Sequence, residues 1–456
     1  MKASDEERIG DLLTWGKRHG AQLHESVEVF HDDVAKFSLK VRESAGQGGL
    51  QPGSATVTCP ASLTLSFVNA VIGGPLPPDI STDLPSNPLF PSAFMDSLPP
   101  YVIGRFFLMQ QYLLGKDSFW WPYIRALPQP EHLASWALPA SWPDDDIDFL
   151  EGTNAHVAIA EMQANLRREF KQARKLLKES SLPGWQAYNR VLYNWAFSIF
   201  ASRSFRPSTV LSDARTAQVA SALPAGCDAD DFSVLMPVFD IANHSPTSDV
   251  VWDSTSDPAC CQLRSRDAYL PGQQVFNNYG MKTNSELLLG YGFVIDETEA
   301  LHNDYIHVRK RMPEDGSGAG DNPGAGTKPT EFLISLRPLT DPSSRVGRSR
   351  QRVARSDDFP VLPEFSHVED SLIWDLAAAQ TSADERQTLA ELVAAIKGAL
   401  LAKLGFDYEK LKASEEGLHP ENRNQELAMR YRKQCERVLE RAIESLSSGA
   451  TSAPGQ

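Results

Sequence analysis

The segment Leu235-Met-Pro-Val-Phe-Asp-Ile-Ala-Asn-His-Ser245 constrains this chain more than any other. Its apolar run reads as a strand that ends in the polar cluster Asp240, Asn243 and His244. Polar groups ending a buried strand either satisfy nearby backbone or line a site, because burying them unpaired costs free energy. A lone histidine at such a place is structural by default. What changes the reading is a second stretch, Phe276-Asn-Asn-Tyr-Gly280, followed by Asn284, Glu286 and Leu287-Leu-Leu-Gly-Tyr-Gly-Phe293. Asn243-His-Ser245 also matches an N-glycosylation sequon. That reading is set aside, because Asp5, Glu6 and Glu7 stand where an export signal needs positive charge and then an apolar run. The chain is therefore expected to stay inside the cell, in the cytoplasm and/or nucleus.

With 456 residues, 41% of them hydrophobic and 23% charged, the chain is long enough for two or three domains and too apolar to be disordered or fibrous. Its 44 basic against 59 acidic side chains give a net charge of −15, which argues against wholesale nucleic-acid binding and favours a basic partner. The apolar stretch Phe106 to Gly115, bracketed by Arg105 and Lys116, falls far short of the roughly 20 residues that span a bilayer, so a buried helix and no membrane partner are expected. Cys59, Cys227, Cys260, Cys261 and Cys435 show no CxxC spacing. Reduced, non-catalytic thiols and no zinc cage are expected.

Residues 8 to 20 carry Ile9, Leu12, Leu13 and Gly16 at helical spacing and stop at Gly20. Phe37 to Val41 and Ala55 to Cys59 alternate as strands and are expected to pair with each other across a Gly46 to Gly53 turn region. A helical block follows from Tyr101 to about Ser202, then short strand signals at 250–252, 274–276 and 305–308. A flexible glycine-rich loop is expected at 313–330, a strand at Phe332 to Leu336, and an arginine-rich loop at 345–355, solvated or anion-binding. Ser382 with Glu385 reads as a capping box for a helix whose stripe ends at Gly405, and Leu427, Tyr431, Cys435, Val438 and Leu439 mark a last helix.

The Asn-His and Tyr-Gly…Tyr-Gly-Phe motifs together resemble SET-domain methyltransferases of the subclass containing the Rubisco large-subunit lysine methyltransferase. Ser202-Arg-Ser-Phe205, Leu113-Leu-Gly-Lys-Asp-Ser-Phe-Trp120 with Tyr123 to Pro128, Trp142-Pro143 and Phe149 to Thr153 extend the resemblance over most of the chain. It implies an α+β fold: a β-rich SET domain with a pseudoknot over 1–300, a helical insert at about 98–230, and an all-α substrate-binding domain over 301–456. It implies S-adenosylmethionine as cofactor, S-adenosylhomocysteine as product, and no metal. By the same resemblance Asn243, His244, Asp240, Ser202, Arg203 and Tyr291 contact the cofactor, Tyr279 is catalytic, and Tyr279, Tyr291 and Phe293 line the lysine channel.

The expected activity is methyl transfer to a lysine of a non-histone, basic protein, of the ribosomal or translation class, by a monomer. A desolvating aromatic channel lowers the pKa of an amine that is otherwise charged at neutral pH, and an oriented hydroxyl aligns it for attack. Two alternatives are a SET-like binding module without catalysis and a protein-histidine methyltransferase, although the latter branch departs from the Tyr-Gly-Phe pattern. The family's Glu-Gly-x-Gly motif aligns with Ala35-Lys-Phe-Ser38, so both glycines are replaced. Asp144, Asp145, Asp146, Asp148 and Glu151 form an acidic cluster, read either as a solvated helix start or as steering for a basic substrate.

Overall fold

The computed structural model describes residues 4–32, 36–81, 83–133, 138–309, 331–344, 347, 363–381 and 388–448. The chain divides into two compact units: Met1–Trp136 with Ala164–Gly280, and Ala137–Gln163 with Met281–Gln456.

The first unit opens with helix α1, Asp5–Arg18. Ser4 caps it by accepting from the Glu7 N–H, acids fill its first turn, and Lys17 and Arg18 its last, which matches the helix dipole. Gly20 follows at φ 93°, as the sequence suggests. Nine strands then build three small sheets. These are β1 (Gln22–Leu23), β2 (Val27–Asp32), β3 (Lys36–Val41), β4 (Ala55–Pro60), β5 (Ser204–Phe205), β6 (Val234–Leu235), β7 (Val250–Asp253), β8 (Cys260–Ser265) and β9 (Gln274–Val275). The sheet orders are β1-β4-β8-β7, β2-β3-β9 and β5-β6.

The pairing expected between 37–41 and 55–59 does not occur. Strand β3 pairs with β2 and β9, whereas β4 pairs with β1 and β8. The inward residues explain the choice: Val57 and Cys59 lie opposite Leu263 and Cys261, all buried, so a distant hairpin supplies the apolar face that β4 needs. The expected strand through Leu235 also stops early. Pro237 has no N–H to donate, Val238 turns to φ 71°, and a short 3₁₀ turn, Phe239–Ile241, follows. Between these strands run helices α2 (Phe67–Ile72), α3 (Pro100–Leu114), α4 (Asn154–Glu179) and α5 (Arg190–Arg203). The stretch Phe106 to Met109 is buried within α3.

The second unit contains the first part of α4, helix α6 (Asn284–Tyr291), the hairpin β10 (Tyr305–Arg309) with β11 (Glu331–Ser335), and helices α7 (Asp370–Thr381), α8 (Leu389–Ala413) and α9 (Arg423–Ser448). Its core joins Trp142, Leu150 and Ile159 to Ile334, Leu404 and Val438. The Ser382 box, the 313–330 loop and, apart from Gly347, the 345–355 loop lie outside the described residues. Helix α8 is capped instead by Thr388 and Glu391, which bond each other's backbone N–H reciprocally. It does not end at Gly405 but continues to Ala413, because buried Leu411 keeps the apolar stripe in register with Leu404.

Candidate active site

Two backbone segments cross in the first unit, and the crossing gathers several of the expected residues. The Asn277 N–H donates to the Asn243 carbonyl at 2.8 Å, and the Ser245 N–H donates to the Asn277 carbonyl at 2.9 Å. One residue on, the Tyr279 N–H donates to His244 Nδ1 at 3.0 Å. The two rings stack, with centroids 4.9 Å apart and planes 15° apart. An imidazole that accepts at Nδ1 carries its ring proton on Nε2, so the crossing sets both the tautomer and the ring plane. The Tyr279 hydroxyl donates to the Ala242 carbonyl at 3.0 Å, which holds it beside Asn243 and His244. Asn243 and Tyr279 are partly buried, leaving part of each side chain accessible.

Sequence reasoning missed Asn277, the hub of this crossing. It is fully buried, and its Oδ1 accepts from Trp252 Nε1 and from the Asn278 N–H, both at 2.8 Å. It lies within the stretch Phe276 to Gly280, where the sequence singles out Tyr279, and its own role follows from which distant segment lies alongside.

Arg203 and Asp240 form a second cluster. Arg203 Nη1 lies 3.3 Å from Asp240 Oδ2 and 3.2 Å from the Asp240 carbonyl oxygen, while the Tyr123 hydroxyl donates to Oδ2 at 2.9 Å. Burial pushes the Asp240 carboxyl above its ordinary range, with Arg203 and Tyr123 opposing. Burial also pushes the Tyr123 hydroxyl well up, with Asp240 adding to it. Asp240 is thus a buried partner of Arg203, with a side chain only 2% exposed against 27% for the arginine. Ser202 bonds back to the Ser198 carbonyl at 2.8 Å, inside its own helix.

The backbone pays for this arrangement at Val238. A β-branched residue at φ 71° is strained, of order 1–3 kcal/mol, and the turn it makes sets Asp240 in place. Gly16 of α1 leaves the room: a Cβ there would lie 3.2 Å from Val238 Cγ2.

Lys36 and Ser38 stand where the sequence resemblance expects glycines, and the local geometry has a glycine-like feature. Lys36 stands at φ 69°, in the left-handed region. Ser38 is buried, and its Oγ accepts from Gln274 Nε2 at 2.8 Å and from the Asn243 N–H at 3.4 Å. The hydroxyl therefore ties β3 to the Asn-His segment.

Tyr291 and Phe293 belong to the second unit, where they flank Gly292 at φ 76° after α6, with ring centroids 6.3 Å apart. Asn284 fixes this turn by donating to the Ile295 carbonyl and to Asp304 Oδ1, and by accepting from the Ile295 N–H. Burial, and next Glu286, raise the Tyr291 hydroxyl.

In class, a strand-and-helix chain with this crossing and a C-terminal helical region has the SET fold. Rubisco LSMT bound to AdoMet has a similar structure, with TM-score 0.59, 16% identity, and coverage of 97% of this chain and 92% of that one. The SET domain of LSMT bound to lysine and AdoHcy aligns with TM-score 0.61 at 15% identity, over 98% of this chain and 92% of that one. No family model matches the chain.

Among curated proteins, the chain is 28% identical over 308 residues to ribosomal lysine N-methyltransferase set10 of Schizosaccharomyces pombe, across 65% of this chain and 49% of that protein. It is 26% identical over 213 residues to protein-lysine N-methyltransferase EFM1 of Saccharomyces cerevisiae, across 39% of this chain and 33% of that protein. An actin-histidine N-methyltransferase of Gallus gallus is 24% identical over 184 residues, 40% of this chain and 27% of that protein. The chain thus spans about half the length, or less, of the curated relatives it matches.

Proposed function

We propose that this chain is a protein-lysine N-methyltransferase that uses S-adenosylmethionine and acts on a non-histone protein. The observation that carries the reading is the crossing itself: Asn243, His244 and the Tyr279 hydroxyl are held together by backbone bonds that leave little freedom. The donor set suits the cofactor. Asn243 and the adjoining backbone offer amide bonds to an adenine, and Arg203, one side of which is engaged by Asp240, offers its exposed remainder to a carboxylate. When bound, the cofactor supplies an electrophilic methyl group. Tyr279 then has a positioning task, orienting the acceptor amine; Tyr291 and Phe293, taken by themselves on the second unit, offer aromatic faces of the kind that desolvates an amine and lowers its pKa.

In this proposal residues 1–300 serve as the catalytic SET domain and residues 301–456 as a substrate-binding domain. Exposed Asp144, Asp145, Asp148 and Glu151 steer a basic protein substrate. Asp146 takes no part in that, because it is buried and accepts from Asn422, Asn424 and Gln425 at 2.8–2.9 Å. A ribosomal or translation protein is the proposed substrate class, in keeping with the name of the Schizosaccharomyces pombe relative, a ribosomal lysine N-methyltransferase. The enzyme is proposed to act as a monomer in the cytoplasm or nucleus.

The test is transfer of labelled methyl from the cofactor to a cell extract, followed by mass spectrometry of the modified residue. Tyr279→Phe deletes one hydrogen bond worth about 1 kcal/mol of stability, while its effect on turnover is expected to exceed tenfold with cofactor affinity unchanged. Unchanged turnover, or methyl on histidine alone, refutes the reading.

A further inference from the structure

One face of α4 is out of keeping with an acidic chain. Between residues 167 and 178 it carries Arg167, Arg168, Lys171, Arg174, Lys175 and Lys178, with one acid, Glu169. At about 100° per residue the six cations fall within an arc of roughly 120°, along a row about 17 Å long. All but Arg174 are exposed. Glu169 does not neutralise them: its carboxylate takes Arg105 at 2.8 Å, the Tyr193 hydroxyl at 2.8 Å and the Tyr101 hydroxyl at 3.0 Å, on the side of the helix that packs inward. Among the described residues an ion pair reaches the row at its end, where Glu179 lies 3.7 Å from Lys175.

A helix face that merely meets solvent is normally laced with opposite charges four residues apart. Here Arg167 with Lys171, Lys171 with Lys175, and Arg174 with Lys178 are like-charged at that spacing, which costs about 1 kcal/mol in total. Arg174 and Lys178 further flank Trp185, at 5.0 and 5.8 Å from its ring, which holds two of the cations in place. Such a pre-formed row needs an anionic partner.

The chemistry narrows the partner. A membrane is disfavoured, because the apolar face of this helix is already spent: Leu166, Ala173 and Leu177 are buried, and Phe170 packs on Phe106 and Tyr193. A flexible acidic peptide must be ordered residue by residue, at about 1–2 kcal/mol each. A nucleic-acid backbone presents closely spaced phosphates on a stiff frame, so a straight row of cations can be met at once, and arginine forks suit phosphate oxygens. We propose that this α4 face is a docking surface for the phosphate backbone of RNA. That the polymer is RNA rests on the proposed ribosomal class of substrate, a protein that RNA accompanies. The acidic sum of the chain then confines nucleic acid to one face of the helical insert and does not exclude it.

The test is fluorescence anisotropy of the full chain with a labelled RNA duplex, without cofactor or protein substrate, so that its outcome is independent of methyl transfer. Five exposed cations predict a slope of log affinity against log salt of about −4, or a loss of two to three orders of magnitude between about 50 and 200 mM salt. Lys171→Gln lowers the slope by about one, and Lys171→Glu with Lys175→Glu removes binding measurable at the higher salt. In the double variant positions 167/171, 168/171, 171/174 and 175/178 become attractive, while 171/175 stays like-charged and 175/179 becomes so, so its melting temperature is expected to change little, which separates lost binding from misfolding. The proposal is overturned by no RNA binding at low salt, by unchanged binding in the double variant, by tenfold preference for a DNA duplex, or by tighter binding to polyglutamate or to anionic vesicles.

Discussion

Replacing Arg203 by Met tests whether that arginine serves the fold, the cofactor or both. Asp240 is 2% exposed and loses its charged partner once the guanidinium is gone, keeping the Tyr123 hydroxyl and a backbone N–H. An uncompensated buried carboxylate costs about 3–5 kcal/mol, which lowers the melting temperature by roughly 10 °C for a unit of this size. The reverse change, Asp240→Asn, costs less, about 1–2 kcal/mol, because Arg203 retains 27% exposure and can turn to water. The double variant is therefore more stable than the sum of the two predicts, by about 2 kcal/mol or more. The pH dependence carries a definite sign. Burial already holds the Asp240 carboxyl above its ordinary range, and losing Arg203 raises it further. A carboxyl whose folded pKa lies above its unfolded value favours the fold below the unfolded value, and that contribution is lost as pH rises through the folded one. The cost of Arg203→Met is thus largest near neutral pH and shrinks toward pH 4. Denaturant unfolding across that range is the assay, with calorimetry for S-adenosylmethionine. If Arg203 also holds the cofactor carboxylate, affinity falls at least tenfold in both the native and the Asp240→Asn backgrounds. A cost independent of pH refutes the buried-pair argument, and an unchanged affinity removes Arg203 from the cofactor site.

Lys36→Gly relieves a left-handed backbone and is expected to stabilise the chain by up to about 1 kcal/mol; a loss of stability by denaturant titration contradicts the strain. Asp146→Ala removes a buried acceptor and strands the buried Gln425 amide, while exposed Asn422 can turn to water, so it is expected to cost about 1–3 kcal/mol, against a near-neutral Asp144→Ala, both read by thermal unfolding. Burial raises the Asp304 carboxyl to about 6, against the pull of Arg437 and Asn284. Its folded value exceeds its unfolded one, so up to about 3 kcal/mol of stability is present below about pH 4 and lost as pH rises through 6. Asp304→Asn should flatten the stability profile across that window, and a profile identical to the native one rejects the assignment.

The parts of this molecule legible in the sequence are those fixed by neighbours along the chain. Helix α1 shows its buried stripe and its glycine stop within residues 8 to 20, although the helix begins earlier, at Asp5 behind the Ser4 cap, and the physics acting there is equally local. Strand partners are not local. Nothing near residue 57 indicates that it will face Leu263 and not β3, because that choice depends on which distant apolar face completes the layer. The same limit hides Asn277, Tyr123 and Ser38, each ordinary in sequence and each defined by what crosses it.

The departure at 35–38 is the instructive case. Sequence alone sees two glycines replaced. In the fold, Lys36 keeps the left-handed backbone at a cost near 1 kcal/mol, and the Ser38 hydroxyl bonds the Asn243 N–H. A motif written in glycines is a statement about backbone path, and a path can be retained by residues that tolerate it poorly when the surrounding bonds hold it. The strain at exposed Lys36 is therefore the more telling of the two: glycine would relax it at no loss of packing, whereas buried Val238 is held in its strained turn by the core it fills.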